Sequence, residues 1–114
     1  MAQYMILIYG DEADYADAGP ETWTESLRAH NAFMEQVVQQ GGKILAGEAL
    51  QPSMATTSVR GDAVTDGPFL ETKEALGGYY VVDAGDLDQA LAFAKLCPAG
   101  SGVEVRPIMD TSGG

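Results

Sequence analysis

Two runs of the chain, Tyr4-Met5-Ile6-Leu7-Ile8-Tyr9 and Gly78-Tyr79-Tyr80-Val81-Val82-Asp83, read as strands that are apolar on both alternating faces. Successive side chains of a strand point to opposite sides of its sheet, so both sides of this sheet need a cover. Only two stretches have the periodicity of a helix. In the first, Trp23, Leu27, His30, Met34 and Val37 recur at steps of four and three. Pro20 and Glu21 suit its first turn, Thr22 and Glu25 have capping-box spacing, and Gly41-Gly42 ends it. In the second, Leu87, Ala90, Leu91 and Ala94 share a side between an Asp86/Gln89 capping pair and Pro98. Two helices cover one sheet face. The other would leave a monomer with more exposed apolar surface than the few hundred Å² usual for a soluble protein. A homodimer with its sheets packed face to face is therefore expected.

The remaining elements complete the order β-α-β-β-(β)-β-α-β. Lys43–Gly47 reads as a short strand and Met54–Arg60 as another. Gly61-Asp62 reads as a two-residue hairpin connection to Ala63-Val64-Thr65, with glycine first as a type II′ turn requires. Thr72–Leu76 has the composition of a helical turn closed by Gly77, and Val103–Ile108 alternates as a last strand before a tail from Met109. The acidic stretch from Asp11 to Gly19, with Glu12, Asp14 and Asp17, reads as a loop. This order describes an α+β fold of ferredoxin-like type, an antiparallel sheet with two helices on one face.

The 114 residues form one domain, and a net charge of -11 argues against nucleic-acid binding and against an anionic membrane face. No run approaches the roughly 20 apolar residues of a membrane helix. The N-terminus shows no secretory signal, and the single cysteine, Cys97, has no internal partner. These features point to a soluble cytoplasmic domain.

Several blocks together resemble the YCII-related domain family and, within it, the DGPF subgroup. They are Tyr4–Gly10, Ala29-His30, Gly47-Glu48-Ala49-Leu50-Gln51-Pro52, Thr65-Asp66-Gly67-Pro68-Phe69-Leu70-Glu71-Thr72-Lys73-Glu74, Gly77-Gly78-Tyr79-Tyr80 and Val103–Ile108. The resemblance covers nearly the whole chain. It implies the dimeric α/β barrel assembly and a cleft between the sheet and the first helix. Some relatives are small-molecule enzymes with a His-Asp pair, and DGPF members often look associated with extracytoplasmic-function sigma factors. His30 matches the histidine of that pair, whereas the aspartate expected near the end of the same helix falls at Gln40.

Two function classes follow. In the first the chain holds a small polar ligand, with His30 as an acid-base group, since histidine titrates near neutral pH; the plain alternative is a buried, neutral core histidine. Asp66, carried by the Gly67-Pro68 kink, is the leading partner for His30 and Glu48 the competing one, although Asp before Gly is also an ordinary turn former. Tyr9, Phe69 and Arg106 are candidates for the cleft wall, Arg106 to fix a small anion and Phe69 to stack on a ligand or plug the core. Glu71, Lys73 and Glu74 read as a solvated run. No metal or other cofactor is expected: one histidine and one cysteine offer no ligand cluster, and Gly41-Gly42 and Gly77-Gly78 read as helix terminators. In the second class the chain is a non-catalytic regulatory or interaction protein associated with an extracytoplasmic-function sigma factor. Its docking surface would be the acidic segments Asp11–Asp17 and Asp66–Glu74.

Overall fold

A computed structural model describes residues 2–14 and 19–112. The strands are β1 (Ala2–Asp11), β2 (Lys43–Ala49), β3 (Thr57–Arg60), β4 (Ala63–Asp66), β5 (Glu74–Ala84) and β6 (Gly102–Pro107), and the helices are α1 (Pro20–Gln39) and α2 (Leu87–Leu96). Strands β2, β5, β1 and β6 form one antiparallel sheet in that order, and β3 and β4 pair separately as a hairpin. The sheet order, with both helices on one face, is the ferredoxin-like arrangement expected.

The core is the layer between sheet and helices. Ile6, Val82, Phe33, Val37, Ala90 and Phe93 are completely or almost completely buried in it, with Tyr4 and Tyr80 beside them. Register fixes which side of the sheet this is: Ile6 stands opposite Tyr80 and Val105, so these three share the helix side. Met5, Leu7, Tyr79, Val81, Glu104 and Arg106 then fall on the other side. Helix α2 starts where expected, with the Asp86 carboxylate accepting from the Gln89 amide at 2.9 Å.

Five local expectations are corrected. Thr72–Leu76 is not a helical turn: β5 begins at Glu74, and Glu74, Ala75 and Leu76 pair with Asp11, Gly10 and Tyr9. Gly77-Gly78 therefore lies inside a strand rather than ending a helix. Gly78 is needed there because a Cβ would meet the Glu48 carbonyl oxygen at 2.8 Å. Helix α1 starts without the Thr22/Glu25 box; Gly19 is its N-cap, makes no side-chain cap, and Pro20 opens the first turn. Met54 belongs to a 3₁₀ turn, Ser53–Ala55, so β3 begins only at Thr57. The acidic stretch is also shorter as a loop, since Asp11 ends β1 and Glu12–Asp14 form a 3₁₀ turn; Asp17 lies outside the described residues. The Gly61-Asp62 connection stands, with Gly61 at φ 56°.

Candidate functional site

The chemistry of the molecule gathers where α1 crosses the sheet. Helical phase brings His30 to the sheet side one turn before Phe33, and the alternation of β5 sends Tyr80 toward the helix. The two meet with His30 Nδ1 2.7 Å from the Tyr80 hydroxyl and the rings tilted by 37°. Phe33 packs against the same tyrosine at 4.9 Å between ring centres, which fixes the phenol from below.

Burial sets the protonation of both. Desolvation holds His30 below its ordinary value, so the ring is neutral at pH 7. Desolvation first, and the neighbouring Cys97 second, push the Tyr80 phenol up to about 12, so it keeps its proton. Cys97 is itself pushed up to about 11 by burial and is inert as a nucleophile. A phenol is a stronger donor than an imidazole N–H, and an imidazole nitrogen a stronger acceptor than a phenol oxygen. Tyr80 therefore donates to Nδ1, and the His30 proton resides on Nε2.

Two cavities meet at this histidine. The inner one, of about 290 Å³, is lined by Leu27, His30, Met34, Ile44 and Tyr80, with Glu48 at its wall. The outer one, of about 410 Å³, runs from His30 past Ile8 and Tyr9 to Trp23, Asp11, Asp14 and the Pro98–Gly100 loop. Glu12 ties the β1 end of this mouth to the facing loop, its carboxylate accepting from both the amide and the hydroxyl of Ser53.

The residues singled out in the sequence divide. Glu48 shares the inner cavity with His30, and Tyr9 lines the outer one. The Tyr9 hydroxyl is engaged by Glu104, whose hydrogen bond and charge raise the phenol above its ordinary value. Arg106 pairs across from Met5 and so stands on the sheet side away from the helices. Asp66 ends β4 and lines a separate open groove of about 820 Å³ between Leu50–Thr56 and Leu70–Leu76, from whose described walls His30 is absent. The turn that carries it is pinned by two hydrogen bonds: Gly67, at φ 92°, donates its amide to the Thr56 carbonyl at 2.7 Å, and the Ser58 hydroxyl donates to the Gly67 carbonyl at 2.5 Å. Phe69 is neither core plug nor cleft wall; it is 58% exposed with the Arg60 guanidinium 4.1 Å over its ring.

The hydrogen-bond partner of His30 is Tyr80, which the sequence places in the second apolar strand without pairing it to the histidine. The signal was present, because Tyr80 shares the alternating set of Val82 and Ala84 and its hydroxyl needs a partner once buried. Among the described residues no group of three or more His, Cys, Asp or Glu is arranged to hold a metal ion, and no helix is long and apolar enough to cross a membrane.

Comparison with known proteins adds a family and no activity. The model of the YCII-related domain matches residues 2–112. An uncharacterised protein of Rhizobium meliloti (strain 1021) is 35% identical over 113 residues, covering 92% of this chain and 90% of the relative.

Proposed function

The chain belongs to the YCII-related domain family, and on that premise we propose that it is a small-molecule pocket protein whose working group is His30. The observation that carries this reading is a neutral, half-buried histidine at the junction of two cavities, held by Tyr80 at 2.7 Å. With Nδ1 occupied, Nε2–H is the free donor, suited to a carbonyl or hydroxyl oxygen of a ligand, which it would polarise. Tyr80 takes the orienting role that a carboxylate has in a His-Asp pair, consistent with Gln40 standing where an aspartate is expected. Glu48 is the carboxylate within the same cavity, whereas Asp66 lines a different groove. The Asp66-Gly67-Pro68-Phe69 block supports membership of the DGPF subgroup. The half-buried apolar side chains Met5, Leu7, Tyr79 and Val81 on the uncovered sheet face support a dimer through that face.

The test exploits the single histidine. Small hydroxy and carbonyl compounds are screened by NMR against protein labelled at the imidazole nitrogens. Ligands of the site should move the His30 resonances and lose affinity about tenfold in His30→Ala, a loss of about 1.4 kcal/mol. A screen in which bound compounds never perturb His30 refutes the proposal. The sigma-factor reading ranks second. It is favoured by the net charge of -11, while Glu12 is bound to Ser53 and Asp11 to the Ala13 amide and Lys73 within the chain.

A further inference from the structure

We infer that the ligand of the His30 cleft carries a protonated amine beside the hydroxyl or carbonyl that meets Nε2, and that the cleft rejects carboxylates of the same shape. This rests on the reading of the cleft as a ligand site. Its walls are apolar over much of their extent, with Ile8, Leu27, Met34 and Trp23, so the body of the ligand is apolar. The ionised groups at the walls are all of one sign. Asp11 and Asp14 stand at the outer cavity and Glu48 at the inner one, and the described lining residues include no lysine or arginine. His30 adds no positive charge, being neutral.

The Lys73 ammonium lies 3.8 Å from the Asp11 carboxylate. Its side chain is 86% exposed, so solvent screens most of that charge and Asp14 and Glu48 are untouched by it. Arg106, the residue that would have received an anion, is on the far side of the sheet. An anion entering the cleft would give up hydration and meet carboxylates instead of a partner. An ammonium gains from each carboxylate and from the net charge of -11 around it. Trp23, 55% exposed at the mouth, is the side chain whose ring attracts cations most strongly.

Three probes of one shape separate these outcomes: phenylalaninol, 3-phenylpropane-1,2-diol and 3-phenyllactate. Binding is measured by calorimetry and by the His30 imidazole resonances at neutral pH, in about 0.02 M and about 0.3 M salt. Phenylalaninol should bind best and weaken with salt, the diol should bind more weakly without salt dependence, and phenyllactate should not bind. Asp14→Asn and Glu48→Gln should each cost phenylalaninol roughly two- to fivefold in affinity, a larger loss than either causes the diol. Phenyllactate binding as tightly as phenylalaninol would overturn the charge preference while leaving the cleft intact as a ligand site. So would equal binding of amine and diol that ignores Asp14→Asn. If none of the three moves the His30 resonances, the cleft reading falls and this inference falls with it.

Discussion

A neutral imidazole that accepts a hydrogen bond at Nδ1 has a stronger preference for its neutral form than burial alone would give. His30 is in this position, since Tyr80 stays protonated up to about 12 and donates across 2.7 Å. Tyr80→Phe removes the donor and keeps the ring that packs on Phe33. A net hydrogen bond is worth about 1 kcal/mol, and here it favours the neutral ring. The His30 titration should thus begin below its ordinary value in the native protein, where burial holds it, and move up in the variant. The measurement is direct, because one histidine gives one set of imidazole signals across a pH series. A midpoint that stays or falls in Tyr80→Phe would show that the bond favours the imidazolium, with Nδ1–H donating to the phenol oxygen. Sequence alone singles out His30 and offers it Asp66 or Glu48, not Tyr80: a residue 50 positions away becomes its neighbour only through the register of β5 against β1.

At the scale of elements, helix α1 shows how far periodicity reaches. The stripe Trp23, Leu27, His30, Met34, Val37 has the right period, yet only its second half meets the sheet; Trp23 is 55% and Leu27 65% exposed. Phe33, which the stripe skipped, is 1% exposed and central to the core. Period fixes a face to within one residue, and the sheet decides which neighbour fills the gap. Phe33→Ala should therefore cost about 3–5 kcal/mol in urea unfolding, whereas Leu27→Ala should stay within about 1 kcal/mol. Comparable losses for both would place Leu27 against something that covers it. The strands were legible because their β-branched and aromatic runs allow little else. Thr72–Leu76 was misread because Glu74-Ala75-Leu76 has a strong helix propensity, which pairing with β1 overrides. The hairpin β3–β4 was legible from Gly61 alone, while the direction of Asp66 was not, since it depends on a groove built by two distant loops.

Taken whole, the molecule is a slab of 43 × 41 × 17 Å with a radius of gyration of 15.7 Å, against about 13 Å for a compact domain of this length. A thin slab has helices on one side and bare sheet on the other. Met5 and Leu7 of β1 and Tyr79 and Val81 of β5 form the middle of the bare face, and Val59, Val64, Phe69 and Leu70 stand exposed near the hairpin. Two such chains carry -11 each, so charge opposes their association and apolar burial must drive it. The sign of the salt effect follows: added salt screens the repulsion and tightens the pair. Sedimentation equilibrium at micromolar protein should give a dimer whose dissociation constant falls as salt rises from about 0.05 M to about 0.5 M. Leu7→Asp, at the centre of the face and away from His30, should give a monomer with unchanged far-ultraviolet circular dichroism. A native chain that sediments as a monomer at every salt concentration leaves the bare face without a partner and refutes the dimer. A dimer that survives Leu7→Asp is held together by another surface, with the exposed hairpin residues Val59 and Val64 the next to substitute.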